Sequence, residues 1–360
     1  MRINILIITL ILICIGVVMI YSASSVWAQD RYKDGIFFLK RHLAFILIGA
    51  ALSFLVMSFD YRALRKYAKP LLFFALILLI LVLIPGLGRE VGGARRWFRF
   101  GIFSFQPSEF ANLAMLIYIA DFISRKKAQM KDLWSGFLPP LMVLGFTVVL
   151  ILAQPDLGSS LALGMIVFML IFTSGADVRH LGGVILLAIP VLYVLIFSVP
   201  YRRMRITAFL NPWADPKGSG FQLIQSNIAL GSGGLFGTGL GHSNQKLFYL
   251  PAAHTDFIFS IIGEELGLVG TLSICFLFIG FILQGFKVVK NSGDTFGHFL
   301  SLGIVSMIAL KAVINMGVSS GIFPTKGLPL PFISYGGSSL IFDMIGVGLL
   351  LNVARGAEPV

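Results

Sequence analysis

Charge is scarce in this chain. Only 12% of its 360 residues are Asp, Glu, Lys or Arg, against about a quarter in soluble domains. Mean hydropathy is +0.91 and 57% of residues are hydrophobic. A water-soluble fold of this length has no means of covering that much apolar surface, so the chain reads as an integral membrane protein. Strand-length alternation is lacking and long apolar runs dominate, which excludes a β-barrel and predicts an all-α class. Cysteine is nearly absent. Cys14 and Cys275 both lie in apolar runs, so neither a disulfide framework nor a Cys/His metal spacing exists. No HExxH, GxSxG or Walker motif occurs, and "GTGLG" (237–241) lacks the strand–helix unit of a dinucleotide fingerprint. No organic cofactor is expected.

What the chain does have is a series of apolar segments. A crossing needs about 20 residues, and ten spans are predicted, at 4–23, 42–59, 69–86, 107–124, 136–153, 158–175, 181–199, 257–286, 297–320 and 332–354. The first apolar core, 3–20, exceeds the roughly 7–15 residues of a signal-peptide core, so it reads as an uncleaved span. One long loop, 200–255, separates spans seven and eight. Its Phe, Leu and Trp content predicts order on or in the membrane interface. Without repeats or low-complexity segments, the chain is expected to form one polytopic domain.

Ten spans place both termini on one side. On that count thirteen Lys and Arg lie on the face of the termini and fourteen on the other, with Lys311 inside span nine. The positive-inside rule therefore gives a tie. The net charge of +12 includes no basic patch interleaved with aromatics, so membrane lipids are the expected anionic partners and nucleic acid is not.

The polar loops with chemistry all map to the face opposite the termini. "LPAAHTDFIFSIIGEELG" (250–267) holds His254, Asp256, Glu264 and Glu265 at the start of span eight. Thr255 or Asp256 can serve as a helix cap there. Glu264 and Glu265 lie roughly 12–14 Å further along. Acids inside a span cost roughly 2.5–3.5 kcal/mol and face a partner or a cavity. Lys311 is their expected ion-pair partner. "AQPDLGSS" (153–160) sets Asp156 at a hairpin tip, as a turn residue or as a second carboxylate beside Asp256. "VGGARRWFRFGIFSFQPSE" (91–109) reads as an amphipathic interfacial segment, with Arg95, Arg96 and Arg99 able to contact phosphate and Ser108 placed as a cap. "YRRMR" (201–205) offers Arg202, Arg203 and Arg205 either as snorkelling side chains or as anion ligands. "GIFPTKGLPLPFISYGGSS" (321–339) is a Pro/Gly-stiffened loop whose Lys326 and Ser338 can reach a cavity, or whose small residues serve close helix packing. Together these loops describe a cavity for a phosphorylated, lipid-linked substrate.

The pieces "GGARRWF…FQPSEFA", "QPDLGSS", "FLNPWADPKGSGFQLIQS", "LPAAHTDFIFSIIGEELG" and "GIFPTKGLPLPFISYGGSS" recur in order over almost the whole chain. In them the chain closely resembles the SEDS family (shape, elongation, division and sporulation), and "PTKGLPLPF" resembles its cell-division branch more than its elongation branch. The resemblance implies a ten-span polymerase with both termini cytoplasmic, joining lipid II into β-1,4 glycan strands outside the bacterial inner membrane. A class B penicillin-binding protein and other division proteins are the implied partners. The essential acid falls on Asp256. Converting an α-linked pyrophosphate donor into a β-1,4 bond inverts the anomeric centre, so a base must take the acceptor's 4-hydroxyl proton, and Asp256 fits that task. Arg202, Arg203, Arg205, Lys326, Arg95, Arg96, Asp156, His254 and Ser338 are expected at the substrate, with Glu264, Glu265, Glu109 and Lys311 as support. A divalent cation, magnesium or manganese, can help neutralise the pyrophosphate. A lipid II flippase or a non-catalytic division scaffold is the alternative reading. Two positions depart from the family pattern. Asn112 replaces a usual Lys, which leaves Glu109 without a nearby cation, and Ala252 replaces a usual Glu.

Overall fold

The computed structural model describes residues 1–91, 93–101, 103–247 and 249–356. Each predicted span falls on a helix: α1 (Arg2–Tyr32), α2 (Phe37–Ser58), α3 (Leu64–Leu81), α4 (Pro107–Lys126), α5 (Leu138–Leu152), α6 (Leu157–Thr173) and α7 (Val178–Phe197). In the long 200–255 segment lie two shorter helices, α8 (Pro200–Leu210) and α9 (Phe221–Ser232). They are followed by α10 (Ile258–Asn291), α11 (Thr295–Ser319) and α12 (Gly337–Gly356). Among the described residues seven helices are long and apolar enough to cross a membrane; α6 is apolar but shorter, and α3 and α4 carry more charge. Aspartates cap several starts by accepting a backbone N–H, among them Asp156 for α6, Asp177 for α7 and Asp294 for α11.

One stretch departs from the all-helical expectation. The segment read as an amphipathic interfacial piece forms a three-stranded antiparallel sheet, β1 (Arg89–Val91), β2 (Ala94–Phe100) and β3 (Phe103–Phe105). Aromatic side chains favour a pleated surface. Gly93 and Gly101 supply the positive φ that the two tight turns need. Helix α4 then starts on Pro107, with Gln106 at the capping position and no side-chain cap, so Ser108 is not a cap.

The interior is built around α4, α11 and α12, which are mostly buried. Helix α2 packs on α12, α3 on α4, α10 on α11, and α1 on both α10 and α2. Helix α7 packs on little, and its apolar side chains are largely exposed, as suits a helix in lipid.

Helix α10 is not continuous. At Gly267 the backbone leaves the helical region (φ 67°, ψ −162°), and the segment 233–239 docks into the break. Thr238 and Gly239 N–H donate to the carbonyls of Glu264 and Glu265, at 2.9 and 3.1 Å. Leu268 and Val269 N–H donate to Gly234 and Leu235, at 2.9 and 3.2 Å. The loop thus satisfies the backbone groups that the break frees. The approach is close enough that a Cβ on Gly237 would collide with the Glu265 carbonyl. This accounts for "GTGLG" without any ligand.

Candidate functional site

Asp256 sits in the turn that leads into α10, and it does not cap that helix. The capping position is Phe257, and no side chain caps the first turn. Instead the three backbone carbonyls before α10 are each held from across the fold. His254 O accepts the Tyr335 N–H at 2.9 Å, Thr255 O accepts the Ser334 hydroxyl at 2.6 Å, and Asp256 O accepts Asn315 Nδ2 at 2.9 Å. The same Asn315 Nδ2 donates to Leu328 O at 2.7 Å, so α11 joins both loops of the site. The Asp256 carboxylate is left free of these bonds. It lies against Gly327, where a Cβ would sit 2.9 Å from Oδ2. Burial pushes its pKa up to about 6, against the opposing pull of Arg205.

Arg205 is the charge that acts on the Asp256 carboxylate, and Lys326, the residue before Gly327, lies near Asp156. Arg205 stacks on Tyr201 and donates to Thr325 O at 3.1 Å. Lys326 Nζ donates to Gly158 O in the first turn of α6. Burial lowers the Lys326 pKa to about 8, while the nearby Asp156 raises it. Asp156 accepts from Ser159 N at 3.0 Å and from the Ser159 hydroxyl at 2.8 Å. The segment 325–327 thus links two pairs, Asp256 with Arg205 and Asp156 with Lys326, contributed by four segments far apart in sequence.

The other residues singled out from the sequence are placed as follows. Arg96 donates to the Gln154 carbonyl at 2.8 Å and to that of Pro155, holding the Asp156 turn from the sheet. Arg95 pairs with Glu90 at 3.1 Å within the sheet. Arg202 donates to Leu195 O at 2.8 Å, towards α7, and Arg203 is exposed. Ser338 accepts the Gln106 N–H and donates to Ser104 O, pinning β3 to α12. His254 is packed among Trp27, Phe38 and Tyr335, and burial drops its pKa to about 4, so it is neutral there.

Glu264 and Glu265 are both buried, and Lys311 is not their partner. Glu264 accepts from the Ser243 hydroxyl and from Asn244 N at 2.9 Å. Glu265 pairs with Lys246 at 2.7 Å and accepts the Ser22 hydroxyl at 2.7 Å. Lys311 instead meets Glu109 at 2.8 Å, Asp343 at 2.9 Å and Ser339 at 3.1 Å. The expectation that Asn112 leaves Glu109 without a cation is thus corrected, because the cation comes from α11. Asn315, Ser334, Lys246, Ser243 and Asp343 were missed in the sequence. Asn315 and Asp343, polar residues inside apolar runs, carried a usable signal; the loop residues carried none.

Residues 2–358 match the cell cycle protein family that comprises FtsW, RodA and SpoVE. This chain belongs to that family. It is 48% identical over 350 residues to the probable peptidoglycan glycosyltransferase FtsW of Geobacter metallireducens, covering 97% of this chain and 93% of that one. It is 46% identical over 349 residues to stage V sporulation protein E of Bacillus subtilis, covering 97% and 95%. Among solved structures, a chain of a peptidoglycan synthase complex that coordinates polymerization and crosslinking matches with TM-score 0.79 at 34% identity, covering 98% of this chain and 96% of that one. The rod shape determining protein RodA of Thermus thermophilus matches with TM-score 0.74 at 29% identity, covering 99% and 97%. Like its family, the chain is a multi-pass membrane protein. Among the described residues no three His, Cys, Asp or Glu side chains converge as a metal site.

Proposed function

We propose that this chain is a peptidoglycan glycosyltransferase of the division type, polymerising lipid II at the outer face of the bacterial inner membrane. Its termini lie in the cytoplasm, and it works with a class B penicillin-binding protein. The name shared by its relatives supports the reaction class. One observation carries the chemistry: a desolvated carboxylate, Asp256, on a turn whose carbonyls at 254, 255 and 256 are each held from across the fold, with Arg205 acting on it and Gly327, next to Lys326, against it.

Asp256 takes the proton of the acceptor sugar's 4-hydroxyl. The freed oxygen bonds to the donor's anomeric carbon from the face opposite the leaving group. The bond from that carbon to the pyrophosphate oxygen breaks, and undecaprenyl pyrophosphate departs with the electron pair. Inversion follows from the single displacement. Arg205 and Lys326 supply the positive charge that the leaving pyrophosphate requires. Among the described residues no side-chain cluster would hold a resident metal, so magnesium or manganese would enter on the substrate phosphates, as magnesium commonly does with one or two carboxylates.

The test is polymerisation of purified lipid II by the full-length protein with its penicillin-binding partner, with and without Asp256→Ala. Strands from the wild type and none from the variant are expected. Equal rates would remove Asp256 as base, and passage of lipid II across vesicle bilayers without strand formation would make the protein a flippase.

A further inference from the structure

Between α4, α6 and α11, below the Asp156 turn, lies a largely enclosed cavity of about 10 Å³. Its walls are apolar except for Asn112, Ser159 and Lys311. That volume is at the lower bound for holding one water, about 10–15 Å³. Asn112 is 8% exposed, and its Oδ1 has no hydrogen-bond partner among the described residues. Lys311 cannot supply one, because an ammonium group has three N–H bonds and those of Lys311 go to Glu109, Asp343 and Ser339. Ser159 spends its hydroxyl proton on Asp156 Oδ2 and keeps its lone pairs. The cavity thus presents two acceptors that lack a donor, Asn112 Oδ1 and Ser159 Oγ, and the Asn112 amide hydrogens lie on the same side chain and cannot bridge the two. The Lys311 ammonium on its wall excludes a metal cation. A small neutral molecule with two hydrogens to give is the occupant that fits.

We propose that one structural water fills this cavity, donating to Asn112 Oδ1 and to Ser159 Oγ. It ties α4 to the first turn of α6 and makes Asn112 a positioning residue for the Asp156–Lys326 edge of the site. The chain of contacts runs from the water through Ser159 to Asp156, which stands beside Lys326. The kinetic consequence rests on the polymerase reading above, whereas the water itself does not.

Two measurements on the full-length protein in nanodiscs test this. The first is an experimental density map at a resolution that shows waters. A single peak within hydrogen-bond distance of both acceptors is expected, and an empty cavity overturns the proposal. The second is a double-mutant cycle of Asn112→Leu, which fills the cavity, with Ser159→Ala, read in melting temperature and in lipid II polymerisation rate. The two side chains share no direct bond, so coupling between them reports the bridge. Each single variant should slow polymerisation about 3–10-fold at nearly unchanged KM, with the double no slower than the slower single. Asn112→Ser, which keeps a hydroxyl and leaves room for water, should stay within about twofold of wild type. Independent, multiplicative effects, or an Asn112→Leu variant identical to wild type in both readouts, overturn the proposal. A protein inactive on lipid II would sink the polymerase reading, while the density and the melting cycle would still decide the water.

Discussion

Asp256 and Lys326 are displaced towards each other in pKa, one up to about 6 and the other down to about 8. Burial is the first cause for both, and it disfavours the charged form of each. As a base Asp256 works when ionised, so activity falls as pH drops through about 6. Lys326 works when protonated, so activity falls as pH rises through about 8. A bell-shaped rate profile is expected from about pH 5 to about pH 9 in initial-rate assays. Lys326→Met should abolish the alkaline limb, and Asp256→Asn should cost roughly 10²–10⁴-fold across the range. A flat profile in the wild type would count against both assignments. Asn315→Ala tests the anchoring separately. It frees the Asp256 and Leu328 carbonyls from α11, and it should lower the rate several-fold while the acid limb moves towards the ordinary carboxylate value of about 4. At this scale the sequence was informative where a charge broke an oily run. Asp256, Asp156 and Lys326 were all visible that way; Lys326 lies near Asp156, and its neighbour Gly327 lies against Asp256. His254 was visible too, but its neighbours in space, Trp27 and Phe38, are more than two hundred residues away in the chain, and no local pattern signals that an aromatic cage will keep it neutral.

The break in α10 is the element through which the site is mounted. Its first half, Ile258 to Leu266, is held by the docked 233–239 segment and by two buried carboxylates that grip residues 243–246. Removing one partner of a buried ion pair leaves the other charged and unpaired, at about 3–5 kcal/mol. Lys246→Met should therefore lower the melting temperature sharply, and Lys246→Met with Glu265→Gln should recover much of the loss. Gly237→Ala should also destabilise, since its Cβ meets the Glu265 carbonyl and its φ is +83°. Gly145→Ala, inside α5 with nothing within 4 Å of a new Cβ, should be neutral or slightly stabilising. A Gly237→Ala protein as stable as wild type would mean that the docking is not tight. Helix positions were legible because apolar run length alone fixes them. The break was not, because a glycine within an apolar run is ordinary in membrane helices and only the partner loop shows that this one is non-helical. The small sheet was missed for a related reason. Its strands are at most seven residues long, and a basic, aromatic stretch fits an interfacial helix as well.

Across the whole molecule, the polar groups inside the helical bundle gather where helices cross. Lys311 of α11 joins Glu109 of α4 and Asp343 of α12, all with side chains no more than 5% exposed. In lipid there is no hydrophobic gain when one helix packs on another, so interhelical polar contacts carry more of the specificity of packing. This cluster fixes the register of the three most buried helices relative to one another, and those helices present Asn315 and Ser338 towards the site face. A lysine between two carboxylates also makes the cluster strongly non-additive. Lys311→Met leaves two acids facing each other without a cation, and it should cost about 3–5 kcal/mol or prevent stable insertion. Adding Glu109→Gln and Asp343→Asn removes both orphaned charges, so the triple variant should melt closer to wild type than Lys311→Met does. If the triple variant were the least stable of the set, the three effects would be summing as independent losses, and the cluster would not act as one unit. Melting curves in nanodiscs, followed together with polymerisation rate, separate register from chemistry. A triple variant that folds yet polymerises slowly would place the cluster's role in aligning α11 under Asp256, whereas one that folds and polymerises normally would confine it to stability.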